Sequence, residues 1–89
     1  MSETPLQQIR NQIDAIDQQI VALLNQRAYL ALRTREHKDP AEIHSALREQ
    51  QVLQNIQNMA PSLLSPTHRQ NIYKHIISAC RHLQLHSSL

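Results

Sequence analysis

The sequence predicts an all-α protein, a three-helix chain whose N-terminal helix is very long. Three observations carry this. The chain has no glycine in 89 residues and four prolines, which disfavours tight hairpins and suits proline-marked helix starts. Two tyrosines are its only aromatics, so the core must be aliphatic. Apolar residues recur at alternating steps of three and four, at Leu6, Ile9, Ile13, Ile16, Ile20 and Leu23. That is the period of a helix with one narrow apolar stripe. A chain this short holds one core, so residues 1–89 are expected to form a single domain.

Each helix has its own start signal. Thr4-Pro5-Leu6-Gln7 offers a capping hydroxyl, a proline in the first turn and a glutamine three residues after the cap. Asp39-Pro40-Ala41-Glu42 repeats the arrangement with acids, and Ser65-Pro66 repeats its first half. Helices are expected near 5–38, 40–59 and 66–85. Asp39 is biased away from helical geometry by the proline after it, which separates the first helix from the second, and Pro61 closes the second. At 1.5 Å per residue the first helix would run roughly 50 Å. A compact domain of this size is only ~26 Å across. The rest of the chain cannot cover such a helix, so a second chain is expected.

The stripe on the first helix is interrupted by charge. Arg27 takes the next place in the alternation and Leu30 resumes it. A guanidinium in an apolar seam is costly unless an anion meets it. Lys38 follows eleven residues later on nearly the same face, ~16 Å along the axis. Two long cationic side chains can thus reach one anion between them; the plainer alternative is that Arg27 turns to solvent or meets a carboxylate. Arg33 and Arg35 add to the cluster against one acid, Glu36, as cations at a helix C-terminus ordinarily do.

In the second helix, Ile43, Leu47, Leu53, Ile56 and Ala60 turn toward apolar neighbours, and Ser45, Arg48, Glu49, Val52 and Ile56 share an adjoining face. Glu49 sits at the margin of a buried stripe, where a surface ion pair is the plainer reading. In the third, Ile72, Tyr73, Ile76, Ile77, Cys80 and Leu83 form the core face and Gln84 continues it inward. A buried primary amide must be satisfied, either by a ligand or by a helix backbone end.

Several function classes are set aside. The single cysteine, Cys80, excludes an internal disulfide and fits a reducing, cytoplasmic compartment. No stretch reaches the length of a membrane span, and no basic region followed by an apolar run opens the chain. The net charge of +2 is mild, and no aromatic set exists for stacking bases, so nucleic acid is not an expected partner. His68, His75 and His82 recur every seven residues and His86 follows His82 by four. No acid or cysteine completes a metal site at suitable spacing, so no metal is expected and these histidines read as a polar outer face. No base is placed to activate Cys80 as a nucleophile.

Taken in order, these pieces resemble the all-helical chorismate mutases over roughly Leu6 to Gln84. The opening IRNQIDAIDQQIVALLNQR, Lys38 eleven residues after Arg27, the Arg48-Glu49 pair, and the closing IYKHIISACRHLQ carry the likeness. The resemblance implies an intertwined antiparallel homodimer with two equivalent active sites, each built from both chains. It implies an isomerase of the shikimate pathway, serving aromatic amino acid biosynthesis, that rearranges chorismate to prephenate without a cofactor. Lys38, Gln84 and Arg27 would be catalytic: Lys38 and Gln84 donate to the ether oxygen, while Arg27 and Arg10 of the partner subunit grip the two carboxylates. Glu49 would accept from the ring hydroxyl, with Arg48 beside the carboxylates. Geometry agrees on Arg10, since seventeen residues separate it from Arg27. That is roughly 25 Å along one helix, too far for both to hold one small ligand from the same chain.

Two positions depart from the family pattern. Ser45 stands where an aspartate is common, and Cys80 where a serine is frequent. Both belong to the expected substrate-binding set and leave substrate identity open. An isochorismate pyruvate-lyase or a 4-amino-4-deoxychorismate mutase would use the same scaffold, although such lyases tend to lack the Glu49 carboxylate. A non-catalytic helical dimer that binds a partner is the reading from another class; it expects Arg27, Lys38 and Gln84 to be satisfied separately, with no closed polar pocket.

Overall fold

A computed structural model describes residues 3–37, 45–59 and 62–87. Helix α1 spans Pro5–Arg33, α2 spans Ala46–Gln57 and α3 spans Pro66–His86, with no strand among the described residues. The first and third begin as the sequence predicts. Thr4 Oγ1 accepts from the Gln7 N–H at 3.1 Å and Ser65 Oγ from the His68 N–H at 3.1 Å, each just before a proline in the first turn. Each cap satisfies a donor that the helix itself leaves orphaned.

Two boundaries differ from expectation. The first helix was expected to reach residue 38, but α-helical geometry stops at Arg33 and Thr34–His37 tightens into a 3₁₀ turn. The Thr34 hydroxyl donates to the Ala31 carbonyl at 2.6 Å, and its N–H is shared among the carbonyls of Leu30, Ala31 and Leu32. Such back-bonding by threonine competes with the regular ladder. The second helix was expected from residue 40, but Ser45 is extended, at φ −103° and ψ 108°. Its Oγ caps α2 by accepting from the Arg48 N–H at 3.1 Å. The Asp39-Pro40 start and Lys38 lie outside the described residues.

Helix α3 packs against both α1 and α2. Arg35 Nη1 donates to the Ser87 carbonyl at 3.4 Å, tying the C-terminal end of α3 to the 3₁₀ turn. Among the described residues only Ile56, Cys80 and Gln84 are buried. The chain measures 58 × 31 × 15 Å, with a radius of gyration of 16.8 Å. A compact chain of this length would have ~12 Å. The stripe on α1 lies open: Leu6, Ile9, Ile13, Ile16, Ile20 and Leu23 are each between 47% and 62% exposed.

Candidate active site

The three helices meet in a pocket of about 340 Å³. Each contributes the same register, i, i+3, i+4 and i+7, which is one face over two turns. From the end of α1 and the turn after it come Arg27, Leu30, Ala31 and Thr34. The cap and first turns of α2 supply Ser45, Arg48, Glu49 and Val52. From α3 come Ile77, Cys80, Arg81 and Gln84. Leu30, Val52 and Ile77 give the wall its apolar part. Three guanidiniums against one carboxylate leave a net charge of +2 on the lining. Such a cavity favours a small anion with an apolar body.

Six sequence-predicted site residues therefore converge: Arg27, Ser45, Arg48, Glu49, Cys80 and Gln84. Arg27 is half-buried, and its Nη1 donates to Cys80 Sγ at 3.2 Å. A thiol sulfur is a weak acceptor, and a guanidinium has five N–H groups, so this contact aims Arg27 without exhausting it. The free thiol of Cys80 thus serves as an acceptor for Arg27. Gln84 is satisfied by a helix end: its Nε2 donates to the Ala31 carbonyl at 2.7 Å and to Thr34 Oγ1 at 2.9 Å. Ala31 is in the last turn of α1, where carbonyls lack intrahelical partners, so the amide caps that helix. Glu49 Oε1 accepts from Arg81 Nη1 at 2.5 Å.

Arg10 does not line this pocket. It is exposed on α1, seventeen residues before Arg27, roughly 25 Å away along the helix axis. Lys38 lies outside the described residues. His82 and His86 pack with ring centroids 4.5 Å apart and planes tilted by 40° on an exposed part of α3, and neither lines the pocket.

The comparison with known families decides the matter. The family model described as chorismate mutase type II matches residues 9–85. The chain belongs to the chorismate mutase type II family. The matched span is a chorismate mutase type II domain. It is 38% identical over 85 residues to the bifunctional chorismate mutase/prephenate dehydratase of Aquifex aeolicus (strain VF5), a match covering 89% of this chain and 24% of that protein. The chain thus spans about a quarter of the length of that relative. No solved structure matches the chain significantly. Among the described residues, no helix is long and apolar enough to cross a membrane.

Two lining residues with polar side chains, Thr34 and Arg81, are absent from the site set that the sequence predicts. Spacing holds a signal for both. Thr34 follows Arg27 by seven residues, and Arg81 follows Ile77 by four and precedes Gln84 by three. Each therefore shares a helix face with a predicted site or core residue.

Proposed function

We propose that this chain converts chorismate to prephenate in a site completed by a second copy of itself. The observation that carries the reading is the convergence of Arg27, Arg48, Glu49 and Gln84, from three different helices, on one positively charged pocket. The volume of about 340 Å³ suits a small ligand. The rearrangement is intramolecular and pericyclic, so the protein has to fold a dicarboxylate into its reactive shape and stabilise charge that develops as the ether bond breaks. Arginines suit the first task because the guanidinium fork matches a carboxylate by paired hydrogen bonds. In this reading Arg27 holds one carboxylate, Arg10 of the partner subunit holds the other, and Arg48 lies beside them. Glu49 accepts from the ring hydroxyl. Gln84 and Lys38 donate to the ether oxygen as it gains negative charge.

The engagement of Gln84 bears on that last role. Both hydrogens of its amide are spent, one on the Ala31 carbonyl and one on Thr34 Oγ1. The Thr34 bond is the exchangeable one. The threonine hydroxyl keeps its own bond to Ala31 when the amide turns to the substrate. The Ala31 bond stays and fixes the amide in place.

The homodimer rests on the open stripe of α1. Fully burying a leucine or isoleucine is worth ~1.5–3 kcal/mol. Covering six half-exposed residues contributes on the order of 5–9 kcal/mol per chain, enough to offset much of the cost of association. Antiparallel pairing of two α1 helices buries the stripe and carries Arg10 of one chain toward Arg27 of the other. The product would enter aromatic amino acid biosynthesis.

The deciding experiment incubates the protein separately with chorismate, isochorismate and 4-amino-4-deoxychorismate, and tracks each loss and its product. Conversion of chorismate to prephenate is expected. Release of pyruvate from isochorismate would make the chain a lyase, and turnover of none would leave a helical binding module.

A further inference from the structure

Arg81 and Glu49 face each other across the α2–α3 interface at the pocket wall. Their side chains are 27% and 31% exposed, so the pair is partly withdrawn from bulk water but remains at the cavity surface. In the proposed function Glu49 meets the ring hydroxyl of the substrate, and the role of Arg81 rests on that reading. A lone carboxylate beside the ring would bind an ammonium substituent more strongly than a hydroxyl, because a hydrogen bond between two ions is about twice as strong as a neutral one. Paired with Arg81, the same carboxylate contributes no net charge, and it brings a fixed cation close to the substituent. A hydroxyl loses little by this. A carboxylate has about four lone-pair sites, so pairing with Arg81 is compatible with accepting from a hydroxyl as well. An ammonium loses much, since its attraction to Glu49 is opposed by repulsion from Arg81 at similar range.

We propose that Arg81 is a specificity-determining residue: by neutralising Glu49 it selects a substrate with a neutral hydroxyl over one with an ammonium at the ring position facing Glu49. Arg81 does this through Glu49, without touching the reacting atoms.

The test measures kcat/KM for chorismate and for 4-amino-4-deoxychorismate in the parent, Arg81→Leu, Arg81→Gln, Arg81→Lys and Glu49→Gln. The parent is expected to prefer chorismate. Arg81→Leu should move the ratio toward the amino compound by about tenfold or more, the scale of one unscreened charge at a partly buried site. Arg81→Lys restores the cation and should keep the parent ratio within about threefold. Glu49→Gln removes the anion that Arg81 meets and should move the ratio the other way, while Arg81→Gln, which keeps a donor to Glu49 without the cation, should repeat the shift of Arg81→Leu and answers the same question if that variant fails to fold. Equal losses for both substrates in every variant would make Arg81 a merely structural tie and overturn the proposal. A parent that turns over neither substrate would instead overturn the mutase reading, and this proposal with it.

Discussion

Gln84 is 8% exposed and does two things at once. It caps the end of α1, and it is the amide that the proposed mechanism needs as a donor. These roles separate in mutants. Gln84→Ala should lower kcat by roughly 10²–10³, the usual loss for one donor to developing charge. It should also lower stability by ~0.5–1.5 kcal/mol, because the Ala31 carbonyl loses one of its partners and keeps the Thr34 hydroxyl. Steady-state kinetics and denaturant unfolding on the same sample separate the two effects. Thr34→Val keeps the shape of the side chain but removes the oxygen that competes for the amide. It is expected to raise kcat/KM about fivefold, the equivalent of ~1 kcal/mol for one neutral hydrogen bond no longer to be broken. A fall instead would mean that Thr34 aims the amide rather than competes for it. The candidate residues are legible in the sequence because they lie on faces at helical spacing. Their partners are not. That Gln84 meets Ala31 and Thr34, or Glu49 meets Arg81, depends on how α3 sits against α1 and α2, and spacing within one helix carries no information about that.

At the level of the helices, α2 shows how one strong signal can hide a weaker one. Asp39-Pro40 advertises a start through its proline, and the lone Ser45 beside Ala46 does not. Yet Ser45 is the extended residue whose hydroxyl caps Ala46–Gln57. Its place in the pocket comes from that structural duty, since the cap sets the register that brings Arg48 and Glu49 to the cavity. Ser45→Ala is expected to cost ~1 kcal/mol, visible as a fall of several degrees in Tm for a domain this size. Ser45→Asp should hold the Tm, because aspartate caps equally well. Any change it makes in KM then reports the substrate alone. The end of α1 is hidden for a related reason. Its apolar period and lack of proline favour continuation, while the back-bonded hydroxyl of Thr34 tightens the chain several residues early. That preference is local to one side chain and vanishes in a window average.

For the molecule as a whole, the apolar stripe is the most legible feature, and it argues for a second chain before any contact is known. Among the described residues nothing covers that face of the 29-residue helix, as its half-exposed isoleucines show. Ile13 is 51% exposed, so Ile13→Glu should cost an isolated protomer little. In the proposed dimer it buries an unpaired carboxylate in the apolar seam between the two α1 helices. Sedimentation velocity should then show a monomer where the parent sediments as a dimer, with activity lost in parallel. A variant that remains dimeric would exclude this stripe as the interface.

The ~25 Å that separates Arg10 from Arg27 on one straight rod has a genetic consequence. An Arg10→Ala chain and a Gln84→Ala chain are each expected to be inactive alone, since every site in either pure dimer lacks one group. In a hybrid of the two, one site collects both defects and the other collects none. Mixing the purified variants and letting subunits exchange should therefore revive roughly a quarter of the sites, as random pairing of two-fold symmetric dimers requires. Two dead preparations would make a live one, and failure to do so after exchange would place Arg10 outside the shared site.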